Sequence, residues 1–389
     1  MRVCILSLSS YNVLARDTAV QHIGGGEVQI VAIGRGLGRL GVPVSFVTHD
    51  HGQSDGVRME GVTVHRTFRP DAGLPGLRFF HRWSSVSRAL SRANADAYVQ
   101  AGADSWTGLA AFWCRWHDRS FVFVSMSEGD CRPDLPFLKT RRDRALYRYG
   151  LRHADAVVVQ TEIQRRMMCE NFGMEGVVIR PCCSTPEHGA VAGIGSPQRE
   201  IVWVGRFSPE KRLEWFLDIA EALPDVTCHA VGQANMDVPY SRRLVSRAKG
   251  MSNVVLHGFV PHERMGEIYR RSGLLVSTSQ IEGFPTVFME AWARGIPTVA
   301  TVDPDHLIER YGLGATARDV SSLVAASRFL LDDPLHWRRC SDNARQHFAN
   351  HHTIEAAAIA FSKLLAQVSV VGDDKRLDAP HETSTSQRI

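Results

Sequence analysis

Two short runs in the C-terminal half carry charged side chains at spacings that suit an anionic, hydroxyl-rich ligand. In Val202-Trp-Val-Gly-Arg-Phe-Ser-Pro-Glu-Lys-Arg212, a buried strand ends at Gly205 and a turn leads into a helix with Leu213, Phe216, Leu217 and Ala220 on one face. Ser208 suits the N-cap and Pro209 the first helical position. Lys211 then falls in the first turn, where a cation opposes the helix dipole. With Arg206 just before the turn, two cations stand beside free backbone N–H groups, an arrangement that favours a bound phosphate. The plainer alternative is two solvated surface charges, although helix starts ordinarily carry Asp or Glu instead.

The second run is Glu282-Gly-Phe-Pro-Thr-Val-Phe-Met-Glu290, trailed by Ala-Trp-Ala-Arg-Gly-Ile-Pro-Thr-Val-Ala. A strand over 274–278 feeds a turn and then a helix that opens near Pro285 and stops at Gly295. Glu282 lies in the loop above the strand end, and Glu290 projects from the helix's second turn. Two carboxylates that only accept hydrogen bonds can hold several sugar or ribose hydroxyls, while the N–H groups between them hold a phosphate. The plain alternative is an exposed loop Glu and a surface helix Glu. A third run, His22-Ile-Gly-Gly-Gly-Glu27, joins the first strand to the first helix; its glycines let a ligand approach the backbone closely. It is not the G-x-G-x-x-G pattern of a dinucleotide enzyme.

The elements that must position these runs alternate strand and helix twice over. Short apolar runs at 3–8, 42–48, 97–100, 121–126, 156–160 and 177–180 predict parallel strands buried on both faces, with helices at 26–40, 76–93, 104–117, 139–153 and 161–172 between them. Pro181 to Glu200 is rich in proline and glycine and breaks the rhythm. Strands then resume at 201–204, 226–231, 253–257, 274–278 and 297–300, with helices at 210–223, 239–249, 262–271, 286–294 and 320–332. This predicts an α/β protein of two doubly wound, Rossmann-like domains facing each other across a cleft, with ligands at the C-terminal strand ends. The expected division is 1–183, a connector at 184–199, 200–352, a helix at 353–371 packing back on the first domain, and a disordered tail at 372–389.

Together the charged runs resemble the Arg-x4-Lys and Glu-x7-Glu signatures of family-4 glycosyltransferases, and the trailing Ala-x-Ala-x-Gly-x-Pro-x-Val-Ala is similar to that family too. The resemblance implies the GT-B fold and a retaining, metal-independent hexosyl transfer of the kind that builds polysaccharides and glycoconjugates. The nucleotide-sugar would be a substrate, so no cofactor is expected. It further implies that Arg206 and Lys211 stabilise the donor diphosphate, that Glu290 binds the ribose, and that Glu282 contacts the donor sugar. Arg206, Lys211 and Glu282 would carry the catalysis. Gly24, Gly25, Gly205, Gly283, Phe284, Thr286 and Val287 would complete the donor surface. Many members place a histidine after the fourth or fifth N-domain strand. Here Gln100, Ser127, Glu128 and Asp130 occupy that neighbourhood, and Gln100, Glu128 and Asp130 are the acceptor-side candidates. Transfer on one face can use the leaving phosphate oxygen as base, so the missing histidine need not abolish activity. It keeps a non-catalytic sugar-nucleotide binder open as the alternative, beside a GT-B epimerase. A phosphorylase would need a pyridoxal lysine site, which is not evident.

The bulk properties agree. A chain of 389 residues suits two domains. The charge of +4 and pI ≈ 8.7 are too mild for a nucleic-acid partner and fit anionic substrates or a membrane surface. The eight cysteines show no C-x-x-C pair, which fits a reduced, cytoplasmic setting; adjacent Cys182 and Cys183 suit a passive pair in the connector better than a redox couple. Val3 to Leu8 fits a first strand better than a signal segment, and no run reaches the ~20 apolar residues needed to span a bilayer. Phe79, Phe80 and Trp83 among Arg78, Arg82 and Arg88, and the basic stretch Lys139 to Arg152, suit either weak peripheral attachment to the inner face of a membrane or a solvated basic face. The seventeen histidines show no metal-ligand spacing.

Overall fold

The computed structural model describes residues 1–16, 24–72, 78–185, 197–261 and 264–377, with side chains of the last helix described to Val368. The first sheet has eight strands: β1 (Val3–Leu6), β2 (Val44–Thr48), β3 (Val57–Met59), β4 (Val62–Arg66), β5 (Ala97–Ala101), β6 (Ser120–Val124), β7 (Ala156–Val159) and β8 (Gly176–Val178). Their spatial order is β3-β4-β2-β1-β5-β6-β7-β8, parallel throughout except for the β3–β4 pair. Period-two alternation explains the two-sided burial predicted for them. Val3 and Ile5 enter one core cluster while Cys4 and Leu6 enter the other. Helices α1 (Tyr11–Leu14), α2 (Gly25–Arg39), α3 (Arg78–Ala93), α4 (Ser105–Trp116), α5 (Glu128–Cys131), α6 (Arg141–Arg152) and α7 (Glu162–Phe172) complete this half.

The second sheet has six parallel strands in the order β11-β10-β9-β12-β13-β14. They are β9 (Glu200–Val204), β10 (Thr227–Val231), β11 (Val254–Gly258), β12 (Leu274–Ser277), β13 (Thr298–Ala300) and β14 (Gly314–Thr316). Around them lie α8 (Leu213–Ala222), α9 (Pro239–Lys249), α10 (Met265–Arg271), α11 (Thr286–Trp292), α12 (Leu307–Tyr311), α13 (Val320–Asp332) and α14 (Pro334–His351). The order reverses between β9 and β12, so the loops leaving those two strands flank the crevice where such sheets bind ligands. Those loops hold the two charged runs.

The last helix, α15 (Ile354–Leu377), lies on α2 of the first sheet, and its Ala357, Phe361 and Leu365 belong to that sheet's core. A methyl group on Gly36 would come within 2.8 Å of both Ile354 Cγ2 and Ala358 Cβ, so the two helices approach closely only because Gly36 has none. The helix runs to Leu377, which corrects the expectation of a tail unstructured from 372; residues 378–389 lie outside the described residues, as does 186–196 of the connector. His22 and Ile23 of the glycine run, and 76–77 of the predicted 76–93 helix, lie outside them too.

Several elements carry no signal in the sequence pattern, the short helices α1, α5 and α12 among them. The β3–β4 hairpin turns on Glu60 and Gly61, both with positive φ (46° and 86°), the two-residue turn that matches strand twist. Helix α14 begins at Pro334 with Asp333 accepting from the N–H groups of Leu335 and His336 (3.1 and 3.0 Å). Strand β14 is three residues long and only half-buried, too short for a periodic signal.

A C-terminal acidic and basic pair facing an N-terminal glycine turn

The loop after β9 departs from the expected helix start. Pro209–Lys211 forms a single 3-10 turn, Arg212 adopts a left-handed conformation (φ 49°), and α8 begins only at Leu213. Ser208 donates to Glu210 Oε1 instead of capping α8. Lys211 therefore stands outside the helix whose dipole would oppose it, and its ammonium pairs with Glu282 from the loop after β12. Both side chains are largely buried, 21% and 16% exposed. Arg206 is the opposite case: it is 79% exposed and pairs with Glu210 of its own loop at 3.3 Å, so it can swing toward a ligand.

The two loops are pinned together. The Arg212 guanidinium donates to the carbonyls of Thr278 (2.8 Å) and Ser279 (3.1 Å) and lies over the Trp215 ring. Trp203 Nε1 donates to Thr278 Oγ1 (2.9 Å), whose hydroxyl bonds the carbonyls of Lys211 and Arg212, and Gln280 N donates to the Glu210 carbonyl. Gly205, at the strand end, donates its N–H to Val231 and lies so close to Gly232 that a Cβ there would sit 1.8 Å from the Gly205 carbonyl oxygen. Such a frame fixes the pair before any ligand arrives.

Glu290, half-buried on α11, accepts from the hydroxyl of Tyr269 at 2.8 Å. Tyr269 is fully buried on α10, and burial, then the Glu290 charge, hold its phenol well above the ordinary range. Gly295 ends the α11 segment in the left-handed region (φ 70°), with its N–H on the Trp292 carbonyl. Phe284, proposed to line the donor, is 8% exposed and packs on Trp292 and His352, so its ring serves the core. Val287 is half-buried against the same core.

Across the cleft, the glycine turn and α5 meet these loops. Gly24 caps α2, with the Glu27 side chain folded back over it. A Cβ on Gly25 would lie 3.6 Å from Thr286 Cγ2, and one on Gly283 would lie 3.4 Å from Ser127 Cα. The α5 turn thus brings Glu128 to the cleft; its half-buried carboxyl is raised mainly by desolvation, with Arg132 opposing. Asp130 is buried: it accepts from the N–H groups of Met126 (2.7 Å) and Ser127 (3.2 Å) and from Ser127 Oγ. Gln100 is buried as well, accepting from Thr107 Oγ1 and donating to the carbonyls of Ala101 and Gly102. The polar atoms of both are engaged by local structure, which leaves Glu128 as the more accessible of the three acceptor-side candidates; their position after a strand could not reveal those partners. Gln164, fully buried beside Gly283, has an Nε2 without a protein partner.

The sequence reading passed over three residues. Tyr269 shares its helix with buried Met265 and Ile268, so nothing in the sequence marks it off from ordinary core. Asp305, in a left-handed conformation (φ 53°) of the second domain, accepts from the N–H groups of Glu162 (2.9 Å) and Ile163 (3.2 Å), capping α7 of the first domain beside Arg180. His49, after β2, lines a cavity of ≈ 310 Å³ together with Ser9, Asn12, Gly24, Glu27 and His51. Elsewhere among the described residues, Asp303, His306 and Glu309 approach one another, but Asp303 caps α12 and Glu309 accepts from Thr316. No described helix is long and apolar enough to cross a membrane.

Comparisons with known proteins agree with this layout. Residues 24–182 match the family model of the glycosyl transferase 4-like domain, and residues 198–333 match that of glycosyl transferases group 1. Mannosylfructose-phosphate synthase of Agrobacterium fabrum is 27% identical over 350 residues, spanning 77% of this chain and 76% of the relative. Sucrose-phosphate synthase from Thermosynechococcus elongatus shares the fold with a TM-score of 0.73 at 16% identity, over 95% of this chain and 100% of that one. The catalytic domain of starch synthase IV from Arabidopsis thaliana, solved with ADP and acarbose, gives 0.66 at 13% identity over 95% and 99%. With both halves matched and the two facing sheets in place, the chain belongs to the GT-B glycosyltransferases of the group 1 and family-4 type.

Proposed function

We propose that this glycosyltransferase retains the donor's anomeric configuration and needs no metal ion. A nucleotide-sugar is held chiefly by the C-terminal domain, and its sugar passes to an acceptor hydroxyl bound chiefly by the N-terminal domain. The observation that carries this reading is the Lys211–Glu282 pair, fixed at the crevice of the second sheet and opposed across the cleft by Gly24, Gly25 and the α5 turn. In this assignment Lys211 and Arg206 face the diphosphate, Glu282 a donor-sugar hydroxyl, and Glu290, steadied by Tyr269, the ribose hydroxyls. As the bond from the anomeric carbon to the phosphate oxygen breaks, negative charge grows on the diphosphate, where the two cations act most strongly. The acceptor oxygen bonds to the same face of that carbon, and its proton passes to the departing phosphate oxygen. Of the acceptor-side candidates Gln100, Glu128 and Asp130, Glu128 is the one whose carboxylate stands at the cleft.

The chain is assigned to the cytoplasm, in keeping with eight free cysteines. A weak peripheral attachment to the inner membrane face is proposed as well. Arg142 of α6 lies over Phe79 of α3, joining the two basic stretches into one surface, with Phe80, Phe112 and Trp116 exposed 69%, 48% and 76%. The test of the main reading is to screen the purified protein against common sugar nucleotides in EDTA for thermal stabilisation and release of nucleoside diphosphate. A donor at a hundred times its dissociation constant stabilises by ~2.7 kcal/mol. Stabilisation without release from any donor would favour a binding protein instead.

A further inference from the structure

The cavity beside the glycine turn has a chemistry of its own. Its described lining is a hydroxyl (Ser9), an amide (Asn12), a carboxylate (Glu27) and two imidazoles (His49, His51), with no lysine or arginine among them. Two nearby cations are engaged elsewhere. Arg82 donates to the carbonyls of Pro70 and Ala72 and lies over Phe68, and Arg66 pairs with Asp50. At ≈ 310 Å³ the space equals about ten water molecules, room for roughly one sugar ring.

Within this lining, His49 is held in one orientation and one tautomer. Its Nδ1 faces the Phe68 carbonyl at 3.3 Å, and a carbonyl can only accept, so Nδ1 carries the proton and Nε2 the lone pair. The Phe68 ring stands edge-on to the imidazole at 4.9 Å. Gln53 clamps the following turn, donating to the carbonyl of His49 (2.7 Å) and accepting from the N–H of His51 (2.7 Å). His51 in turn stacks on Tyr11 at 5.4 Å. Burial lowers the basicity of His49, opposed by its bond to Phe68; His51 and Arg82 push the same way as burial, and Asp104 opposes them.

We infer that this cavity is the acceptor subsite, that it takes an uncharged, hydroxyl-rich glycosyl or polyol group, and that His49 Nε2 accepts a hydrogen bond from one of its hydroxyls. This rests on the glycosyltransferase reading and narrows it. A neutral imidazole and the Glu27 carboxylate accept from hydroxyls readily, whereas a phosphate would meet Glu27 with no cation in the described lining to offset it. The cavity runs along Gly24 and Glu27, and the other side of the same turn touches Thr286, so the acceptor would lie next to the donor crevice.

The test is saturation-transfer NMR on the full chain. The neutral probes are the methyl α-glycosides of glucose, mannose and galactose and myo-inositol; the charged probes are glucose 6-phosphate and mannose 6-phosphate. At least one neutral probe should bind, weaken about tenfold or more in His49→Ala, and recover partly in His49→Gln, whose amide oxygen can accept. Binding should also fade on acidification, as His49 gains a proton and Nε2 loses its lone pair. Silence from every neutral probe, neutral binding indifferent to His49→Ala, or binding of the phosphates alone would overturn the inference. Thermal stabilisation by UDP, GDP or ADP, measured on the same samples, separates the two levels. It should be equal in wild type and His49→Ala, and its absence from wild type would count against the donor reading instead.

Discussion

Replacing Glu282 by glutamine should tighten the binding of a nucleoside diphosphate while impairing use of the intact sugar donor. In the free protein the Lys211 ammonium is engaged by Glu282, and the pair is mostly shielded from water. A diphosphate must draw Lys211 away or share it, so the ion pair competes with the ligand. Exposed ion pairs are worth about 0.2–1 kcal/mol, and partial burial with a fixed backbone frame brings this one to about 1–2 kcal/mol. Removing the competitor then strengthens diphosphate binding by about five- to thirtyfold, since each 1.4 kcal/mol is tenfold. Glutamine keeps the size and one acceptor oxygen, so the loops should not shift. Calorimetric titration of the preferred nucleoside diphosphate into wild type, Glu282→Gln and Lys211→Ala measures this directly. The expected order of affinity is Glu282→Gln, then wild type, then Lys211→Ala, with turnover reduced in both variants. A Glu282→Gln protein that binds nucleoside diphosphate more weakly than wild type would refute the competition and make Glu282 a direct partner of the nucleotide.

Tyr269→Phe removes the hydroxyl that steadies Glu290 and should weaken nucleoside diphosphate by about 1 kcal/mol while leaving inorganic pyrophosphate unchanged, a split readable by calorimetry. Asp305→Ala takes two hydrogen bonds from the start of α7 and a charge partner from Arg180; a loss of about 1–2 kcal/mol would lower Tm by about 2–8 °C in a calorimetric scan. His347 and His352 are buried, and burial holds them neutral, down to about 4 and about 3. Unfolded histidines take up protons near 6.5, so the unfolded state binds more protons and stability falls as pH drops from 6.5 toward those lower values. The unfolding free energy from urea titrations should therefore decline on acidification, by roughly 2–3 kcal/mol per pH unit near pH 5; a flat profile between pH 7 and 5 would contradict it.

What the sequence revealed was local or periodic. Buried strands such as Val3–Leu6 and Ile201–Val204 announce themselves because both faces are covered, and both charged runs are legible because their spacing lies within one loop and one helix. What it concealed depends on contacts between distant residues. Lys211 meets Glu282 across 71 positions, Tyr269 meets Glu290 across 21, and Asp305 reaches α7 across 143. The helix start at Ser208 was misjudged because local capping preference favoured it, whereas Arg212, anchored on the carbonyls of Thr278 and Ser279, breaks the helix before Leu213. Gln100 and Asp130 have the chemistry of site residues but are consumed by neighbours, which no single-sequence pattern reports. His49 sits one residue beyond a strand end, a position worth scanning in any such sheet, yet only the neighbouring Phe68 carbonyl shows which of its nitrogens is available.

The most direct test of same-face, metal-independent transfer is proton NMR of the reaction in EDTA with the sugar nucleotide that best stabilises the protein. The signal to follow is the anomeric proton of the first-formed product, the sugar being transferred to water or to a methyl glycoside. The account predicts a product with the donor's own anomeric configuration, formed at the same rate with or without chelator. An inverted anomer, turnover that stops in EDTA and returns with manganese or magnesium, or no release of nucleoside diphosphate from any common sugar nucleotide would contradict it.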